Sequence, residues 1–138
     1  MAFLDEIAEW VLTAGLADFE PVPDDPQAAS LWALCKAFMP EQPDRVVLLS
    51  EYAGNPPQIR ADVDYPGLQV RVRGRGWEYG EARDKSEAVR VALHGLGPVS
   101  INSRRYVHFE AQQSVTSLGR DANDRPEFTC NFIVIRSR

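Results

Sequence analysis

Alternating apolar and polar residues mark the central strand of the chain. From Leu68 to Arg73, leucine and valine alternate with glutamine and arginine, the period-two pattern of a strand with one buried face. Gly74 follows and favours the end of this strand. The pattern predicts that Arg71, Arg73 and Arg75 project from one face, away from the core.

An amphipathic helix is predicted to follow, from Trp77 to Leu96. Its apolar and small residues recur at spacings of four, three, four and three, which places them on one helical face. Gly95 offers a left-handed C-cap, and Pro98 prevents continuation. The residues of this stripe are Ala82, Ser86, Val89, Leu93 and Leu96. The sequence therefore predicts a strand followed directly by a helix that packs on the same sheet.

A second helical stripe predicts a first helix over Phe3–Ala14, which Gly15 ends. The stripe consists of Phe3, Leu4, Ile7, Ala8, Val11 and Leu12. Trp10 lies largely off this stripe. It is therefore either an interface residue or part of a wide apolar face, and the sequence leaves both interpretations open.

Apolar runs bounded by proline predict two strands between the first helix and the central strand. Residues 30–39 are too few for periodicity to decide, and the flanking Pro40 favours a strand. Residues 45–52 include four consecutive apolar residues, typical of a strand covered on both faces. Residues 53–67 contain two proline turns and predict a loop-rich segment, which tends to be functional or mobile.

The C-terminal third predicts strands joined by tight turns. Residues 98–113 indicate a short strand, an Asn-Ser turn and a longer strand, with Val107 and Phe109 facing the core and Tyr106 facing away. Gly119 to Arg125 is turn-like, and the last strand begins at Pro126. This strand carries apolar residues on both faces, so part of its outer face is expected to contact a partner.

The order of elements predicts an α+β fold. Hairpins rather than repeated crossovers join the strands, which indicates a mainly antiparallel sheet with two helices packed on it. A length of 138 residues suits a single domain over residues 1–138 with a core that needs no disulfide or metal.

Acidic and basic residues are unevenly distributed along the chain. Up to Pro66 there are 12 Asp or Glu against 3 Lys or Arg, and from Gly67 onward there are 8 against 12. The balances are −9 and +4, within a net charge of −5. Such asymmetry suits a subunit whose acidic side contacts the basic side of a neighbour in a closed ring. A solvated asymmetry without function is an equal alternative from charge alone.

Neither cysteines nor apolar runs indicate a metal, a membrane or secretion. Cys35 and Cys130 are expected to be buried free thiols in a reducing compartment, with a disulfide between them as the open alternative. No Cys-x-x-Cys motif accompanies them, so no metal and no cofactor are expected. No apolar run approaches the roughly 18 residues of a membrane helix. The acidic N-terminus lacks the basic region of a secretory signal.

Candidate catalytic groups are weak, and we expect no enzyme and no catalytic residue. The chain has neither a Gly-x-Ser-x-Gly elbow nor a Walker loop. Asp62 and Asp64 lie on one side of an extended segment and, with Glu110, have the chemistry of a magnesium site. Solvated carboxylates are the favoured interpretation. His94 is expected to cap the second helix.

Arginines give the strongest nucleic-acid signal. Arg71, Arg73 and Arg75 have a spacing suited to phosphates, and Arg120 belongs to a further group downstream. The acidic half of the same domain would repel a duplex, so contacts with protein carboxylates are favoured. A small nucleic-acid-binding module that uses this strand face is the alternative.

Several short motifs follow one another in order over nearly the whole chain. They are Phe3-Leu-Asp-Glu-Ile-Ala-Glu-Trp-Val-Leu12, Glu51-Tyr-Ala-Gly-Asn-Pro-Pro57, Leu68-Gln-Val-Arg-Val-Arg-Gly-Arg75 with Tyr79 and Glu81-Ala-Arg83, Ser117-Leu-Gly-Arg-Asp-Ala-Asn-Asp-Arg-Pro-Glu-Phe128, and Asn131-Phe-Ile-Val-Ile-Arg-Ser137. Together they resemble the tailed-phage minor capsid proteins related to tail terminators.

This resemblance implies a structural virion protein of the siphophage neck, assembled in the host cytoplasm. Such a protein forms a hexameric ring that ends tail-tube polymerisation and connects the tail-tube protein to the head-tail connector or stopper protein. DNA passes through the lumen without specific binding. The expected subunit or partner interface residues are Arg71, Arg73, Arg75, Trp10, Asp62, Asp64 and Arg120.

Overall fold

The computed structural model describes residues 2–21, 31–56 and 62–137, and this part of the chain folds into two helices and one sheet of seven strands. The helices are α1 (Phe3–Thr13) and α2 (Tyr79–Leu93). The strands are β1 (Ala33–Lys36), β2 (Val46–Asn55), β3 (Val63–Arg73), β4 (Val99–Ile101), β5 (Arg104–Ala111), β6 (Thr116–Arg120) and β7 (Pro126–Ser137). The predicted α+β fold is confirmed.

Strand β7 is the centre of the sheet, which runs in the order β1-β2-β3-β7-β5-β4. Its first half pairs with β6 and its second half with β5, on the edge opposite β3. These pairings are antiparallel, and only the short β1 lies parallel to its neighbour β2. Strand β7 therefore pairs directly with three of the other six strands.

Both helices pack on one face of the sheet and close the main core. The predicted faces of the two helices are confirmed, since Ile7 and Val11 of α1 and Val89 and Leu93 of α2 are fully buried in one cluster. From β3, Leu68, Val70 and Val72 join this cluster, as the alternation predicts. From β7 come Cys130, Phe132 and Val134.

The opposite face of the sheet carries a smaller apolar cluster and a polar ladder. Ala33, Val46 and Leu48 form the cluster near β1. Farther across, the Gln69 side-chain amide donates to Asn131 Oδ1 at 3.1 Å. This arrangement confirms the prediction that β2 and β7 carry apolar residues on both faces.

Both ends of the loop predicted at residues 53–67 are strand, because β2 continues to Asn55 and β3 begins at Val63. Residues 57–61 lie outside the described part of the chain. A bulge between Tyr52 and Asn55 accommodates Pro66, which has no N–H to donate to a ladder. Gly54 allows the close approach, since a Cβ there would lie 2.0 Å from the Tyr65 carbonyl oxygen.

The prediction that Tyr106 faces away from the core was wrong. A bulge between Tyr106 and His108 shifts the register of β5 against β7. As a result Tyr106 and Phe109 are both fully buried, while Val107 is exposed. The turn-like segment from Gly119 also needs correction, because Gly119 and Arg120 belong to β6. The Asn-Ser turn between β4 and β5 is confirmed by two positive φ angles.

Neither described helix is long and apolar enough to cross a membrane. Both cysteines are free thiols, with Cys130 buried and Cys35 partly buried. Burial raises the pKa of each thiol above its ordinary value. Low reactivity follows, because the thiolate is the reactive form.

Candidate interaction surface

The arginine row of β3 lies on the face away from the helices, as the sequence predicts. Arg73 sits between Val46 of β2 and Glu127 of β7, and Arg71 sits between Leu48 and Thr129, one pair farther along. Alternation along the strand, with the apolar residues taking the core face, fixes this placement.

Arg73 is buried inside the chain, with an exposure of 2%. Its Nε donates to the Asp44 carbonyl oxygen at 3.0 Å, and its Nη2 donates to the Pro43 carbonyl oxygen at 2.6 Å. Burial lowers the pKa of this guanidinium from its ordinary value. The side chain therefore fastens the segment before β2 to the sheet, and it is not part of the accessible surface.

The side chains of Arg71 and Arg75 are partly exposed to solvent, and each has a carboxylate partner within the chain. Arg71 Nη2 donates to Glu127 Oε2 at 2.8 Å. Arg75 Nη2 lies 3.5 Å from Glu78 and 3.6 Å from Glu81. The Nε atoms of both arginines are buried without a hydrogen-bond partner among the described residues.

A fourth arginine, Arg125 in the turn between β6 and β7, adds further ion pairs to those of Arg71 and Arg75 and completes an ionic network at this end of the sheet. Its Nε donates to Asp121 Oδ2 at 2.8 Å, and its Nη1 reaches the Glu41 carbonyl oxygen at 2.7 Å and Asp44 Oδ1 at 3.1 Å. Arg120 is more exposed and donates to the Asp124 carbonyl oxygen at 2.9 Å. The network holds three segments distant in sequence against one end of the sheet.

Arg45, the residue before β2, forms a bidentate ion pair with Glu81 of α2. Two guanidinium nitrogens of Arg45 donate to the two carboxylate oxygens of Glu81, each at 2.7 Å. These hydrogen bonds hold the pKa of Glu81 below its ordinary value. Planar bidentate pairs of this kind fix orientation as well as distance.

The remaining predicted interface residues are dispersed. Trp10 is partly buried against the main core, which supports the wide apolar face over an exposed anchor. Asp62 is exposed at the start of β3, and Asp64 lies opposite Arg136 of β7. Arg120 lies on β6. Of the seven residues, only Arg71 and Arg73 are neighbours on one face of β3. Arg75 follows the strand and pairs with Glu78 and Glu81 at the start of α2.

His94 is the C-cap residue of α2, as predicted, and its backbone N–H donates to the Arg90 carbonyl oxygen at 2.8 Å. Its Nδ1 accepts a hydrogen bond from the Ala111 N–H at 3.0 Å, and so ties the end of the helix to β5. Gly95 takes the predicted left-handed conformation with φ of 80°. Among the described residues, no group of three or more His, Cys, Asp or Glu has an arrangement that could hold a metal ion.

A buried cluster around Glu6 was not predicted. Glu6 is 1% exposed, and its Oε1 accepts a hydrogen bond from the Tyr106 hydroxyl at 2.7 Å. Arg104 and Arg136 lie 3.3 and 3.4 Å from the same oxygen. Burial, together with the bond to Glu6, raises the pKa of Tyr106 above its ordinary value. The sequence signal that could have predicted the burial of Glu6 is its spacing, three residues after Phe3 on the apolar stripe of α1.

Two exposed features were also missed, the strand β6 and the aromatic residue Trp77. Every residue of β6 is exposed, so it carries no alternation that would predict a strand. Trp77 is 87% exposed and adopts a positive φ of 72°, which is rare for a bulky residue. Its exposure depends on tertiary packing, and no pattern in the sequence signals it.

Comparison with known proteins gives one match. A protein-family model described as bacteriophage tail terminator protein matches residues 14–138. No curated protein and no solved structure matches the chain significantly. The matched residues include all seven strands, helix α2 and the ion pairs of Arg71, Arg75 and Arg125.

Proposed function

The chain belongs to the bacteriophage tail terminator family, whose members are structural proteins of the phage tail, and on that premise we propose that it forms the ring that ends tail-tube polymerisation. In this proposal six copies form a hexamer on the last ring of tail-tube protein. The opposite side of the hexamer binds the head-tail connector or stopper protein, and DNA passes through the lumen without specific binding.

The family match over residues 14–138 is the observation that carries the proposal. The arginine network supports it, because the cations that suggested phosphate binding are engaged within the chain. Arg73 is buried on backbone carbonyl oxygens, and Arg71 and Arg75 face carboxylates. A duplex would have to compete with these contacts, whereas a structural ring gains a rigid subunit from them.

The mechanism in this proposal is steric and needs no bond chemistry. One face of the ring matches the end of the tube, and the other presents a surface that further tube subunits cannot bind. The ionic network fastens residues 41–45, the β6–β7 turn and the start of α2 to one end of the sheet. A subunit fixed in this way can hold its two ring faces in constant orientation.

The proposed contacts with neighbouring subunits or with tube protein involve the accessible members of the predicted set, Arg71, Arg75, Arg120, Asp62 and Asp64. Arg71 and Arg75 each expose around two-fifths of the side chain. Arg73 contributes indirectly in this scheme, by positioning the segment before β2. Trp10 is a rim contact at most, since it packs against the core.

Elongation of purified tail-tube protein tests the proposal. With the chain added in substoichiometric amounts, tubes should stop growing and carry a ring at one end in negative-stain electron micrographs. The matched control is the same chain heated until it unfolds. Tubes that reach the same length with and without the folded chain would contradict the proposal.

The alternative, a nucleic-acid-binding module, makes an opposite prediction. It requires salt-dependent affinity for duplex DNA that falls when Arg71 and Arg75 are replaced by alanine. In the ring proposal the chain has no such affinity at physiological salt. Fluorescence anisotropy with a labelled duplex distinguishes the two.

A further inference from the structure

We propose that copies of this chain join head to tail by pairing residues 18–20 of one copy with strand β6 of the next, so that the sheet continues from copy to copy. The contact rests on the proposed function, since it is the one that would close the proposed ring. The register of the sheet, the faces of the side chains and their charges support it.

Residues 18–20 form the outermost extended segment on the β1 side of the sheet. Phe19 bridges Ala33 of β1 in the parallel sense, and its carbonyl oxygen accepts the Leu34 N–H at 2.7 Å. Because successive residues of a strand present their backbone groups to opposite edges, Glu20 presents its own away from β1. Among the described residues, no backbone hydrogen bond reaches Glu20.

Strand β6 is the outermost strand on the other side of the sheet at the same end. It pairs with β7, and no other strand in the described part of the chain pairs with its second edge. Every residue of β6 is exposed, and the strand contains neither proline nor lysine, which commonly protect such edges. An edge of this kind is a template for pairing with another chain.

Two other edges also lack backbone partners within residues 2–21, 31–56 and 62–137, but both lie toward the opposite end of the sheet. The outer edge of β4 lies near Tyr106, which pairs with Arg136 close to the end of β7. The half of β2 beyond Leu49 is uncovered because β1 stops there. Neither edge is level with residues 18–20.

The register of the sheet places Phe19 and Gly119 at the same level on its two sides. Successive pairs connect them, through Ala33, Val46, Arg73 and Glu127. Residues 18–20 run parallel to β1 and β2, whereas β6 runs in the opposite direction. A neighbouring copy in the same orientation, displaced straight across the sheet, therefore brings the two segments side by side and antiparallel.

The same register places Asp18 opposite Arg120 of the neighbouring copy. Arg120 pairs with Pro126, one position beyond the pair formed by Gly119, and Asp18 is one position before Phe19. These shifts have the same direction along the sheet, because the two segments are antiparallel.

The side chains of Asp18 and Glu20 belong to the helix-bearing face. Phe19 between them packs against the small apolar cluster on the opposite face, and alternation turns its neighbours the other way. In agreement, Glu20 lies 3.6 Å from Lys36, which also pairs with Asp5 of α1.

Arg120 belongs to the helix-bearing face as well. Its neighbour Gly119 is paired with Glu127, whose carboxylate binds Arg71 on the face away from the helices. Alternation from Gly119 to Arg120 then turns the Arg120 side chain to the face of Asp18 and Glu20. Neighbouring copies in one orientation thus present these charges on the same face of the joined sheet.

Opposite charges and complementary shapes meet at this junction. Asp18 and Glu20 are exposed, and Arg120 exposes 40% of its side chain, with its Nε 3.7 Å from Asp124 Oδ1. Opposite charges at facing positions stabilise an antiparallel pair. On the other face, the Phe19 ring would cover Gly119, where a Cβ would meet nothing within 4 Å.

The contact is heterologous, because each copy uses residues 18–20 on one side and β6 on the other. Such a contact closes into a ring when the rotation between copies permits. It joins an acidic segment of the N-terminal half to a basic position of the C-terminal half, as the charge asymmetry of the sequence indicates.

Cysteine cross-linking tests this contact directly. The double variant Glu20→Cys with Ser117→Cys should give a ladder of disulfide-linked oligomers on mild oxidation, because the register places these positions opposite each other across the junction. Within one chain they are separated by five inter-strand spacings, about 24 Å at about 4.8 Å each, which is beyond the reach of a disulfide.

Two kinds of control accompany this variant. Each single variant controls for disulfides with Cys35 and Cys130. Glu20→Cys with Ser100→Cys controls for an exposed position on β4, the unpaired edge at the other end of the sheet. These controls should run as monomers on denaturing gels.

Association measured by sedimentation, with tail-tube protein if the ring requires it, gives a second readout. Arg120→Glu should weaken self-association on the order of tenfold, because two carboxylates would then face each other. Arg83→Glu makes the same change of charge at an exposed position of α2 and should weaken it less than roughly threefold.

Rings that form without the cross-link through Ser117 and keep full affinity in Arg120→Glu would overturn this contact and leave the proposed ring intact. Cross-linking through Ser100 in its place would also overturn it. A chain that never self-associates, alone or with tube protein, would overturn both the contact and the ring.

Discussion

At the scale of single residues, the chain uses its arginines mainly to hold itself together. The sequence predicted the strand, the face and the spacing of the arginine row, because these follow from alternation alone. It did not predict their partners, because Pro43, Asp44 and Glu127 approach β3 only through the tertiary fold. The ion-pair partners of Glu6 were not predicted for the same reason, because Arg104 belongs to β5 and Arg136 to β7.

Replacing Arg73 by methionine should lower the free energy of unfolding by about 3 kcal/mol, because two buried carbonyl oxygens lose their donor. Chemical denaturation monitored by circular dichroism measures this. The control Arg83→Met changes an exposed arginine of α2 and should stay within about 0.5 kcal/mol. Equal effects of the two variants would contradict the anchoring role of Arg73.

Acid should selectively weaken the contact between Arg45 and Glu81. The hydrogen bonds from Arg45 keep the pKa of Glu81 below its ordinary value of 4.5, so the ionised form is favoured in the folded state. The stabilisation is complete above that value and is lost as pH falls below it. Glu81→Gln should therefore cost about 1 kcal/mol near neutral pH, and the cost should shrink in acid.

Denaturation of wild type and Glu81→Gln at a series of pH values measures this difference. The matched control is the same substitution in an Arg45→Met background, where no pH-dependent difference of this origin should remain. A cost that stays constant from neutral to strongly acidic pH would show that the ion pair does not stabilise the fold.

At the scale of elements, periodicity located the helices and the buried strands, and it failed where packing overrides alternation. A bulge placed Tyr106 in the core, and the fully exposed β6 gave no pattern at all. The sequence predicts a loop at the distal end of the β2–β3 hairpin, because Gly54 and Pro66 are poor strand formers. Both residues are accommodated by the bulge in the hairpin.

Gly54→Ala should destabilise this hairpin, since the added Cβ would lie 2.0 Å from the Tyr65 carbonyl oxygen and the backbone would have to move. We expect a loss of about 2 kcal/mol, measurable by thermal denaturation. Gly80→Ala is the control, because its Cβ would meet nothing within 4 Å and alanine favours a helix by up to about 1 kcal/mol. Stabilisation by both substitutions would contradict the close approach at Gly54.

At the scale of the whole molecule, part of the charge asymmetry is neutralised within the chain. Arg104, Arg125 and Arg136 of the basic half pair with Glu6 and Asp44 of the acidic half. The family match identifies the chain as a protein of the phage tail. Its hexameric state and its contacts with other tail and head proteins are proposals.

The mass of the purified chain in solution, alone and with tail-tube protein, tests the central claim most directly. Mass photometry should show a hexamer, either for the chain by itself or only after tube protein is added. A monomer that stays monomeric with tube protein and shifts only with duplex DNA would contradict the ring and favour a nucleic-acid-binding module.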